Sequence, residues 1–65
     1  MISVVIPTYN EKENIKKLVP RIFHVLKDVE IIIVDDNSPD GTIDIVKTLQ
    51  KKYNIKLIER SGKMG

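Results

Sequence analysis

Two adjacent carboxylates, Asp35 and Asp36, end the apolar run Ile31-Ile32-Ile33-Val34 and stand directly before the turn Asn37-Ser38-Pro39-Asp40-Gly41. Acids in that position can hold a divalent cation, accept hydrogen bonds from a base or a sugar, or cap the following helix. A second polar cluster, Pro7-Thr8-Tyr9-Asn10-Glu11, closes another apolar run, residues 2–6. Tyr9 offers a flat face for stacking a base and a polar tip. Glu11 offers an acceptor beside the free amides of a helix start. The plain structural reading stands beside this one: Tyr9 packs on the core and Glu11 is a first-turn acid matched to the helix dipole. For the acid pair, like-charge repulsion costs stability unless something compensates. Asp36 is therefore the first candidate for ligand contact. Asp35 is the second, because one of two adjacent residues must point away from the ligand side. Ser38, Asp40 and Thr42 read as ordinary turn and capping residues.

The elements that position these clusters are legible as well. Residues 2–6 and 29–34 are β-branched, apolar and short, as buried strands are, and residues 55–59 read as a third. Pro7 closes the first strand. Asn10 stands as an N-cap with Glu13 three residues on, opening a helix whose apolar positions are Ile15, Leu18, Val19, Ile22, Phe23, Val25 and Leu26. Pro20 lies inside it and is expected to kink or split it. A second helix, capped by Thr42 or Asp40, carries an inner stripe of Ile43, Val46, Leu49 and Tyr53. The order β-α-β-α-β with strands this apolar predicts an α/β domain, a Rossmann-like parallel sheet with helices on both faces. Right-handed crossovers bring the carboxyl ends of the strands to one rim, where ligands of open α/β sheets bind.

Composition narrows the classes. The chain has 65 residues, so it forms one small domain at most, and it has no cysteine. Its single histidine, His24, has no companion for metal or catalytic work. The net charge of +2 is spread along the chain, without a basic run or interleaved aromatics, so no nucleic-acid partner is expected. The apolar runs are far short of a membrane span, Met1 leads straight into a strand without a basic leader, and a cytoplasmic setting is expected.

Known ligand loops can be tested against the turns. Asp36-x-Ser38-x-Asp40-Gly41 begins like a calcium loop, but its twelfth position is Lys47 where a bidentate Glu is needed. No G-x-G-x-x-G follows the first strand, and Gly62-Lys63 lacks the leading Gly and following Ser/Thr of a P-loop. What remains is a nucleotide held by its base and ribose, through carboxylates and a tyrosine.

With their spacing, Val5-Ile6-Pro7-Thr8-Tyr9-Asn10-Glu11 and Val34-Asp35-Asp36-Asn37-Ser38-Pro39-Asp40-Gly41-Thr42 resemble the N-terminus of family 2 glycosyltransferases with the GT-A fold. The second motif and Arg60-Ser61-Gly62-Lys63-Met64-Gly65 are most similar to the dolichol-phosphate or polyprenyl-phosphate mannose synthases. The resemblance implies a nucleotide-sugar donor, GDP-mannose or a UDP-sugar, bound by Pro7, Tyr9, Glu11, Val34, Asp36 and Asp35. It implies a parent enzyme that transfers a hexose with inversion to a polyprenyl phosphate at the cytoplasmic face of a membrane. It also implies a divalent metal, Mg or Mn, whose Asp-x-Asp ligands are not in this chain. Residues 1–65 are then the incomplete donor-binding part of a transferase domain, with no catalytic residue of their own and little activity alone. Arg60 and Lys63 fall where the next loop approaches the donor. The alternative is a stand-alone nucleotide-binding or self-associating α/β module without transferase activity, since open sheet edges invite pairing.

Overall fold

The computed structural model describes residues 1–60, and the expectations placed on residues 61–65, Lys63 among them, lie outside these. The chain runs β1 (Ile2–Thr8), α1 (Lys12–Val25), β2 (Val29–Asp35), α2 (Thr42–Leu49) and β3 (Ile55–Glu59). The strands form one parallel sheet in the order β1-β2-β3. Its register sets Ile6 beside Ile33 and Thr8 beside Asp35, with Ile33 beside Leu57 and Asp35 beside Glu59.

Both helices lie on the same side of this sheet, where one on each face was expected. The cause is topological. Crossovers between parallel strands run right-handed as a rule, and in the order β1-β2-β3 both step in the same direction, so both helices pass over the same face. α1 and α2 accordingly pack on each other. Along β2 the burial alternates: Val29, Ile31, Ile33 and Asp35 are buried, and the residues between them are only half-buried. Ile15, Val19, Ile31, Ile33, Val46 and Ile55 form the core, with Phe23 and Tyr53 stacked at its edge at a centroid distance of 4.9 Å. The opposite face carries Val5 and Ile58, which are 59% and 50% exposed.

Four local expectations are corrected. Pro7 and Thr8 belong to β1, and Asp35 belongs to β2. Pro7 is tolerated because β1 is an edge strand. The Thr8 carbonyl faces β2, so the preceding residue turns its missing N–H to the free edge. α1 runs unbroken through Pro20. The carbonyl left without a partner is that of Lys16, an exposed residue whose backbone water can satisfy. Asn10 is not the cap of α1: the capping position is Glu11, no side chain of its own caps the helix, and Asn10 has a left-handed φ of 54°. Finally, α2 ends at Leu49, and its inner face is Thr42, Ile45, Val46 and Leu49 rather than one containing Ile43.

One-sided burial has a measurable consequence. Ile33→Ala should destabilise the chain by about 2–5 kcal/mol in urea unfolding followed by circular dichroism. Val5→Ala, on the open face, should cost less than about 1 kcal/mol. Equal costs at the two positions would contradict a sheet covered on one face.

Candidate functional site at the carboxyl rim of the sheet

The rim is built from the turns that follow β1 and β2. Asp35 is fully buried at the end of β2. Its carboxylate accepts hydrogen bonds from Thr8 Oγ1 at 2.7 Å, Ser38 Oγ at 2.6 Å and the Ser38 amide at 2.8 Å. The Ser38 hydroxyl in turn accepts the Asn10 N–H at 2.9 Å. Asp40 makes a second link. One of its oxygens accepts the Lys12 N–H at 3.2 Å, and the other accepts the amide and hydroxyl of Thr42. The amides that begin α1 are thus served from a turn 28 residues away. Gly41, at φ 89°, supplies the left-handed turn that leads from Asp40 into α2, a conformation that favours glycine.

Asp36 has the opposite environment. Its side chain is half-exposed, and among the described residues it forms one ion pair, with Arg60, Nε to Oδ1 at 3.8 Å. The ladder continues past the strand ends, since the Asp36 amide donates to the Thr8 carbonyl and the Arg60 amide to the Asp35 carbonyl. Pro7, Val34 and Ile58 are register partners and so share one row of the open face. Side chains alternate along a strand, so the next row of that face belongs to Asp36 and Arg60, with Tyr9 two residues beyond Pro7. Tyr9 is 56% exposed and packs on no core. Asn10 and Asn37, each directly after one of these rim residues, have φ of 54° and 62°. Asn accepts that left-handed turn better than other residues with a side chain.

The expected residues therefore fall into three groups. Tyr9, Val34 and Asp36 lie on the open-face side of the rim, with Pro7 at the free edge of β1 bordering both this face and the groove behind it. Pro7 and Glu11 line a groove of ≈ 340 Å³ between β1 and α1, together with Thr8, Asn14, Lys17 and Arg21. Glu11 accepts the Asn14 side-chain amide at 2.7 Å there. Asp35 lies beneath both, with its oxygens engaged by protein donors. Sequence reasoning understated three residues. Ser38 and Asp40 were read as local caps, and Arg60 was placed in a loop approaching the donor without its pairing to Asp36. Only a strand register could have placed Arg60 beside Asp36.

These acids do not fit a metal cage. Asp35 and Asp40 have given their oxygens to N–H and O–H donors, and Asp36 faces a guanidinium. Among the described residues no group of three or more His, Cys, Asp or Glu side chains is placed to hold a cation. Nor is any helix among them long and apolar enough to cross a membrane. His24 is exposed in the last turn of α1.

Residues 3–65 match the profile of Glycosyl transferase family 2. The chain belongs to this family. A dolichol-phosphate mannosyltransferase of Pyrococcus furiosus is 46% identical to it over 66 residues, which cover 98% of this chain and 19% of that enzyme. A polyprenol monophosphomannose synthase of Mycolicibacterium smegmatis is 56% identical over 64 residues, 95% of this chain and 24% of that protein. Among solved structures, a mannosyltransferase from Pyrobaculum calidifontis in complex with GDP-Man and Mn2+ superposes with a TM-score of 0.83 at 28% identity, over 98% of this chain and 20% of that one. The chain thus spans about a fifth to a quarter of the length of these relatives. The GT2 chain has the β-α-β-α-β parallel sheet expected for the start of a GT-A fold.

The two engaged acids give the fold a definite pH response. Burial pushes the Asp35 carboxyl up, but hydrogen bonds from Ser38 and Thr8 outweigh it and leave it below the ordinary 3.8. The Thr42 hydroxyl, with the Lys12 and Thr42 amides, holds Asp40 below that value too. A depressed folded pKa means the stabilisation is complete above the unfolded value and is lost as pH falls through the folded one. Urea midpoints should therefore hold near neutrality and drop from about pH 4 downwards. Asp35→Asn should flatten part of that drop and lower the midpoint at neutral pH. An acid limb unchanged by Asp35→Asn would show that this carboxyl is not held ionised by the fold.

Proposed function

We propose that this chain is the donor-binding N-terminal part of a glycosyltransferase that passes a hexose from a nucleotide sugar, GDP-mannose, to a polyprenyl or dolichyl phosphate. The observation that carries this reading is the exposed Asp36 at a parallel strand end, in the row continued by Tyr9 and Arg60. Family membership and the named activities of the mannosyltransferase relatives support it. So does the GDP-Man held by the Pyrobaculum enzyme over the same fold.

In this reading Asp36 accepts ring N–H groups of guanine. The unprotonated carboxylate offers only acceptors, so it selects bases that present N–H donors on that edge. Tyr9 stacks against the base, and Val34 and Pro7 supply an apolar floor beneath it. Glu11 accepts a ribose hydroxyl from the groove side. Arg60, released from Asp36 as the base arrives, turns its charge toward the diphosphate. Asp35 supports the site from below and does not touch the ligand. That departs from its initial reading as a contact residue, because its oxygens are buried and already accept three hydrogen bonds from the protein. In this reading the divalent metal and the transfer chemistry are supplied by other parts of the parent enzyme.

Isothermal titration with GDP, UDP and ADP tests this. GDP should bind in preference to ADP, and Asp36→Ala should weaken GDP by about ten- to a hundredfold, the loss of hydrogen bonds to a charged acceptor. Equal affinity for GDP and ADP, or GDP binding indifferent to Asp36→Ala, would refute the assignment.

A further inference from the structure

The rim shows an alternation that neither turn chemistry nor capping explains. Thr8, Asn10 and Lys12 are each tied to the turn after β2, through Asp35, Ser38 and Asp40 respectively. The residues between them are Tyr9 and Glu11. On the other turn Asp36 lies between Asp35, which is tied to Thr8, and Ser38, which is tied to Asn10. Every residue assigned to base or ribose contact from the two turns is therefore bracketed by anchored positions. A cap for α2 alone would need only the Thr42 bonds of Asp40, yet its second oxygen reaches the first amide of α1. Likewise a local turn would need only the bonds between Ser38 and Asp35, yet the Ser38 hydroxyl also receives the Asn10 amide.

We infer that Ser38 and Asp40 are positioning residues for the nucleotide site: they clasp the turn after β1 to the turn after β2, so that Tyr9 and Glu11 face the same ligand as Asp36. The inference rests on the donor-binding reading above. Neither residue touches the nucleotide. Each works through a backbone amide, Ser38 through Asn10 and Asp40 through Lys12. Without the clasp, the first turn is held at Thr8 alone, and the Tyr9 ring loses its fixed distance from the Asp36 carboxylate. Misplacement of a group by about an ångström is enough to cost binding or catalysis heavily.

The test uses Ser38→Ala, Ser38→Thr, Asp40→Asn and Tyr9→Ala in this chain, with two readouts. In the absence of ligand, amide hydrogen exchange by NMR should show faster exchange at Asn10 in Ser38→Ala and at Lys12 in Asp40→Asn, by a larger factor than at core amides such as Ile33, which report only the global loss of stability. In GDP titrations Ser38→Ala should weaken binding about tenfold, the scale of one positioning hydrogen bond. Ser38→Thr, which keeps the hydroxyl, should restore most of it. In the Tyr9→Ala background Ser38→Ala should cost little more, because the ring it positions is gone. A purely structural role would give additive effects of Ser38→Ala and Tyr9→Ala. GDP binding at parental affinity in both Ser38→Ala and Asp40→Asn would overturn the clasp while leaving the donor site intact. Failure of the unsubstituted chain to bind GDP would overturn the donor-binding reading and the clasp together.

Discussion

Burying a carboxylate is costly unless donors surround it, and in this chain Asp35 is completely buried with three donors from two different segments. Removing a donor would leave this buried charge less than fully compensated, which costs stability. The bond to Thr8 fixes the end of β1 against the end of β2. The bonds to Ser38 set the path of the turn leaving β2, and through the Ser38 hydroxyl they reach Asn10. The geometry of the whole carboxyl rim follows from satisfying this one group.

That arrangement separates two neighbouring acids into different tasks. Asp35 is desolvated, hydrogen-bonded by three protein donors and held ionised by them. Asp36 is exposed and, among the described residues, paired with Arg60 alone, an arrangement weak enough for an incoming ligand to replace. The repulsion expected between the two is relieved on one side by the donors around Asp35 and on the other by the guanidinium at Asp36. Alternation along the strand does the sorting. Asp35 shares the helix-covered face with Ile31 and Ile33, so Asp36 is turned toward the open face.

Strand cores were plain in the sequence, because β-branched apolar runs between turn residues leave few other choices. Their ends were not. Pro7 is a strand breaker only where its nitrogen must donate, and on a sheet edge it need not. The caps were misread because the usual rule looks three residues along the chain, whereas the Lys12 amide is served by Asp40 across the rim. Helices were expected on both faces because Val5, Ile32, Val34 and Ile58 make the strands apolar on both. Which face is covered depends on strand order, and pairing alone decides that. Among the site residues, counting parity from Ile31 and Ile33 would have put Asp35 inside and Asp36 out. Nothing local could have shown that Ser38 and Asp40 reach across to Asn10 and Lys12.

The central claim is that a nucleotide is read at this rim, on residues held by the Asp35 network. The most direct measurement is an NMR titration of the isotopically labelled chain with GDP, following each backbone amide. The account predicts shifts concentrated at Tyr9, Asn10, Asp36, Asn37 and Arg60, with the flank of α1 around Ile22 and Val25 silent. Shifts centred on that flank, or on the middle of the open face at Val5 and Ile32, would contradict it.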